Sequence, residues 1–70
     1  MMLWPCVRYL AGGVPRVLWL APREALSLEL GEPAIEHALA TARDERGTDI
    51  RIEFAEAGAV GRCVMRVRVP

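Results

Sequence analysis

Apolar residues recur along this 70-residue chain with two periods, and Gly and Pro mark where one gives way to the other. Residues Leu3 to Ala11 are rich in strand formers, among them Trp4, Val7 and Tyr9. Gly12-Gly13 follows and reads as a tight hairpin turn, because glycine adopts positive φ freely. Arg16 to Ala21 then predicts a second strand, with Pro15 at its start, where a missing N–H does least harm. Both strands are apolar on both faces. Val7 and Tyr9 oppose Cys6 and Leu10, and Val17 and Trp19 oppose Leu18 and Leu20. Strands covered on two sides have this pattern.

Pro22 to Leu30 carries two signals. Pro22 with Arg-Glu-Ala suits a helix start, whereas Leu26, Leu28 and Leu30 alternate with Ser27 and Glu29 at strand period. The alternation favours a third strand. Helix period begins after Gly31: Pro33 suits the first helical position, and Ile35, Ala38, Leu39 and Ala42 recur at i, i+3, i+4 and i+7. The helix is expected over Pro33 to Arg46, with Arg43 and Arg46 in its last turn and Gly47 at its C-terminal cap.

Strand period returns in the last third. Over Asp49 to Glu56, Ile50, Ile52 and Phe54 share one face, with Arg51 and Glu53 on the other. Over Arg62 to Val69, Cys63, Met65, Val67 and Val69 share one face, with Val64, Arg66 and Arg68 on the other. Ala57 to Gly61 is the turn.

The elements predict one α+β domain over residues 1–70, ordered ββ(β)αββ. An antiparallel sheet of four or five strands has one helix packed on one face. One helix leaves the far face uncovered. That face is polar on the C-terminal hairpin, but on the N-terminal hairpin it is bulky and apolar whichever set points outward. The mismatch predicts an exposed apolar patch that includes a Trp.

Composition sharpens this picture. Apolar residues make up 53% of the chain, more than one thin core of this size readily hides. The surplus points to a partner surface or a homodimer. Nine acidic residues balance nine basic ones, so bulk charge directs the chain to neither nucleic acid nor membrane. All nine basic residues are Arg, as GC-rich coding produces. The apolar stretch Met1 to Leu20 is broken by Pro5, Arg8, Pro15 and Arg16, which suits neither a membrane span nor a secretory leader. A cytoplasmic protein with reduced Cys6 and Cys63 is therefore expected.

The inventory for chemistry is short: one Ser, two Thr, one Tyr and one His. His37 falls on the polar face of the helix, with no orienting partner nearby. Cys6, Cys63 and His37 lack metal-site spacing, so no metal or cofactor is expected. The two cysteines are read as buried free thiols, with neighbouring strands and a disulfide as the alternative. Ser27 has no nucleophile-elbow context. Glu53, Glu56 and Asp49 are expected to pair with Arg51, Arg66 and Arg68 across strands. The Gly58-Ala59-Val60-Gly61 string joins two strands and reads as a hairpin loop, not a phosphate or RNA clamp.

No constellation supplies nucleophile, base and oxyanion donors together. The chain is therefore expected to be a non-enzymatic protein-binding module. Accessory subunits and small phage- or plasmid-encoded inhibitors of larger complexes, of the anti-CRISPR type, have this size. Its expected partner surface comprises Trp4, Tyr9, Val17 and Trp19 together with Arg51, Arg66 and Arg68, residue types common at binding hot spots. A homodimer is a further expectation. The alternatives are a nucleic-acid or anion binder using the Arg face and a small enzyme or enzyme subunit. The hairpin–helix–hairpin order does not choose among them.

Overall fold

Strand formers and turn glycines organise the structure from its N-terminus. The computed structural model describes residues 2–22, 32–56 and 63–69. Strand β1 (Leu3–Ala11) turns through Gly12-Gly13 into β2 (Val14–Trp19); helix α1 (Pro33–Asp44), β3 (Thr48–Glu56) and β4 (Cys63–Arg68) follow. Gly12 and Gly13 have φ of 57° and 79°, the requirement of a two-residue type I′ turn. Pairing starts at once, with Ala11 opposite Val14. The second strand therefore occupies Val14–Trp19 rather than the expected Arg16 to Ala21. The third strand expected at Leu26 to Leu30 and the turn at Ala57 to Gly61 lie outside the described residues.

The sheet is antiparallel, four-stranded among the described residues, in the order β2-β1-β3-β4. The α+β class, with one helix on an antiparallel sheet, is thus the observed architecture. Strand β1 is central despite Pro5. The Pro5 carbonyl accepts from the Leu20 N–H at 2.9 Å. In an antiparallel ladder a residue's N and O face the same neighbour, so the missing Pro5 donor falls where β2 ends.

The core lies between helix and sheet. Ile35, Ala38, Leu39 and Ala42 of α1 meet Leu3, Val7 and Tyr9 of β1 and Ile52 and Phe54 of β3. Leu18, Met65 and Val69 pack around its margin. Phe54 and Val7 are fully buried, and full burial of such a side chain contributes about 1.5–3 kcal/mol.

Tyr9 ties this core to the helix C-terminus. Its hydroxyl donates to the Glu45 carboxylate, which pushes the phenol pKa above its ordinary value. The helix ends at Asp44, two residues earlier than expected. Gly47 N–H donates to Ala42 C=O at 2.8 Å and Arg46 N–H to Arg43 C=O at 2.9 Å, a Schellman closure. The left-handed residue is Arg46, at φ 56°, not the glycine. Gly47 serves close approach instead: a Cβ there would lie 2.8 Å from both the Ala42 carbonyl oxygen and Tyr9 Cδ2.

Two predictions follow from this closure, both read by chemical denaturation. Arg46→Gly removes the left-handed penalty and raises stability by about 1 kcal/mol. Gly47→Ala forces backbone and a pinned aromatic ring apart and lowers it by about 1–3 kcal/mol.

Candidate interaction face

The face of the sheet opposite α1 gathers side chains from all four strands. Register fixes the set: Cys6 lies opposite Trp19 and Glu53, Arg8 opposite Val17 and Arg51, and Glu53 opposite Arg66. Residues directly opposite share a face, so Trp4, Cys6 and Arg8 stand beside Val17 and Trp19 on one side. On the other side stand Arg51, Glu53, Arg66 and Arg68.

One half of this face is apolar and open. Trp4 and Trp19 are 44% and 52% exposed, with Val17 beside them. The two indoles meet edge to face, centroids 6.4 Å apart and planes at 82°, the arrangement that ring quadrupoles favour. The Arg8 guanidinium carbon lies 6.0 Å from the Trp19 ring centre, a cation–π distance.

The other half is organised by one carboxylate. Glu53 is only 6% exposed although it sits on the open face. Arg51 Nε donates to its Oε2 at 3.0 Å, Arg66 approaches Oε1 at 3.4 Å and Arg8 Nε approaches Oε2 at 3.5 Å. Burial pushes the Glu53 pKa up, but hydrogen bonds from Arg51, Cys63 and Arg66 outweigh it and hold the carboxyl below its usual range. Asp49 forms a second node. It adopts φ 51° at a bulge between β1 and β3, and its carboxylate meets Arg51 at 2.6 Å and Arg68 at 3.5 Å. Four guanidiniums thus face two carboxylates among the described residues, leaving this half positive.

Six of the seven residues expected at a partner surface therefore share one face: Trp4, Val17, Trp19, Arg51, Arg66 and Arg68. Tyr9 does not. It points to α1 and is buried, because residues of odd number on β1 all face the helix. Arg8 was not among the expected residues. Its place between two partner strands, which makes it the bridge between the two halves, depends on β1 pairing with β3. Glu56 has its backbone on β3, and its side chain lies outside the described set.

Both cysteines are free thiols and Cys6 is buried, as expected; Cys63 departs from expectation in being exposed. Strand β3 separates their strands, so they are not neighbours. A register shift at Phe54/Ala55 sets Cys63 opposite Ala55, on the Glu53 side rather than with Met65. Burial raises the Cys6 pKa; desolvation and the Glu53 carboxylate raise that of Cys63. Neither is an activated thiolate.

On the opposite side, an open cleft of about 510 Å³ separates β2 from α1. Leu18, Trp19 and Leu20 line it from the strand side, and Ala34, His37 and Thr41 from the helix. Among the described residues no cluster of His, Cys, Asp and Glu is arranged to hold a metal, and no helix is long and apolar enough to cross a membrane. Comparison of the chain with protein-family models, curated proteins and solved structures yields no match.

The Glu53 node predicts a pH signature. A carboxylate with a depressed folded-state pKa contributes stability that is present above its unfolded pKa and lost as pH falls through the folded value. Glu53→Gln lowers stability at neutral pH by about 1–2 kcal/mol. It also flattens the acid limb of the thermal midpoint measured against pH. An acid limb identical to that of the parent chain contradicts this account.

Proposed function

We propose that this chain is a non-enzymatic protein-binding module that docks a partner through the open face of its sheet. The exposed, mutually packed Trp4–Trp19 pair carries this reading, because it adjoins a preordered arginine cluster on the same face. Large aromatics beside arginines provide binding energy where water is excluded, and their exposure in the free chain leaves that energy unspent. The excess of guanidiniums selects a partner surface that is apolar at its centre and acidic on one flank. In this reading the chain acts in the cytoplasm, as an accessory subunit or an inhibitor of a larger complex. Homodimerisation through the same Trp pair is the competing occupant, and sedimentation of the free chain distinguishes it.

A second reading has a specific observation in its favour. The register brings tryptophans and arginines onto one sheet face, although they belong to different hairpins, and single-stranded nucleic acid binds such mixed faces by stacking and phosphate contact. The overall charge balance speaks against it.

Capture by the tagged chain from lysate separates the two, with and without nuclease and across a salt series. A protein partner is retained after nuclease treatment and at high salt. Trp19→Ala weakens its affinity by about 2 kcal/mol, more than Arg51→Ala or Arg68→Ala does. Nuclease-sensitive capture that disappears with salt supports the second reading instead.

A further inference from the structure

We propose that the outer edge of β4 is a docking edge for an extended acidic strand of a partner protein. The inference rests on the protein-binding reading above and assigns the partner's chemistry and place of entry. The ladder determines which backbone groups point away from the sheet. Val69 N–H donates to Ile50 C=O at 2.9 Å. Because strand residues alternate sides, Val67 and Met65 also turn their backbone groups toward β3, and Arg66 and Arg68 turn theirs away. Among the described residues, nothing pairs with that edge.

The opposite edge of the sheet is different. Leu20 N–H points to Pro5, so the same alternation turns Leu18 and Arg16 inward and Val17 and Pro15 outward. Pro15 has no N–H to offer, which blunts the β2 edge against an incoming strand. The β4 edge carries no such block from Cys63 to Arg68.

Side chains select what pairs there. Arg66 and Arg68 project from the open face with side chains 51% and 78% exposed. Each approaches one carboxylate, Glu53 at 3.4 Å and Asp49 at 3.5 Å, and a guanidinium has further donors to offer. A strand laid beside β4 sets its same-face side chains next to these two, and carboxylates at alternate positions complete charge-assisted pairs. A second copy of this chain is the wrong occupant. Antiparallel pairing of β4 with itself brings Arg66 and Arg68 of both copies together, and like charges across strands repel. Backbone hydrogen bonding thus supplies affinity and the arginines supply selection, as in other strand-addition interfaces.

The test uses the whole chain and two end-capped peptides, one alternating Val and Glu and one alternating Val and Lys. Binding is followed by NMR titration and by amide hydrogen exchange. The Glu peptide is expected to slow exchange of the Arg66 and Arg68 amides and to bind about tenfold more tightly than the Lys peptide. Arg66→Glu with Arg68→Glu is expected to invert that preference. Arg66→Pro removes one outward donor and is expected to weaken the Glu peptide. Should this variant fail to fold, a Glu peptide N-methylated at alternate amides makes the same deletion on the partner side. Unchanged exchange at Arg66 and Arg68, or equal affinity for the two peptides, overturns the proposal. Trp4→Ala and Trp19→Ala leave peptide binding intact. Peptide failure with Trp-dependent capture preserved therefore removes the edge alone. Peptide binding without Trp-dependent capture removes the open-face reading alone.

Discussion

The apolar stripe of α1 covers one side of a sheet that has two, and the rest of the molecule answers that constraint. Ile35, Ala38, Leu39 and Ala42 close over Val7, Tyr9, Ile52 and Phe54. A helix of twelve residues has nothing left with which to cover the other side. The far face therefore stabilises itself by other means. On β3 and β4 it does so with ion pairs around Glu53 and Asp49. On β1 and β2 it keeps two indoles packed on each other, half exposed. The first solution suits water; the second leaves apolar surface that association would bury.

Arg8 joins the two solutions. It reaches Glu53 on one side and the Trp19 ring on the other. A partner that buries the indoles also desolvates this guanidinium, whose charge Glu53 offsets only in part because Arg51 and Arg66 share the same carboxylate. Preordering of this kind reduces the cost of binding, because the side chains are fixed before the partner arrives. Tyr9 does the corresponding work inside. Its hydroxyl holds Glu45 and its ring lies under Gly47, so the helix end and the central strand are fixed to each other.

Local pattern made much of the fold legible. The Gly12-Gly13 turn, the i, i+3, i+4, i+7 stripe and the alternation around Ile52 and Phe54 are properties of short segments, and the structure follows them. Element ends were less legible, because they depend on hydrogen bonds rather than on periodicity. Arg46 takes the left-handed position that its sequence neighbour Gly47 suits better, since Gly47 is needed against Tyr9. What no local pattern carries is which strands pair. Placing β1 beside β3 makes Arg8 part of the charged cluster, separates Cys6 from Cys63 and sets the tryptophans and arginines on one face. The fate of Tyr9 was half legible: its alternation with Cys6 and Leu10 was plain, but not which set meets the helix. The shift at Phe54/Ala55, which turns Cys63 toward Glu53, likewise leaves no mark in the alternation.

Side-chain footprinting of the chain, free and in complex with a captured partner, tests the central claim most directly. Modification rates at Trp4 and Trp19 report the open face; the rate at His37 reports the helix side. The account predicts strong protection of both tryptophans in the complex and an unchanged rate at His37. Protection of His37 with the tryptophans still reactive would place the partner on the helix and contradict the claim that the uncovered sheet face is the working surface.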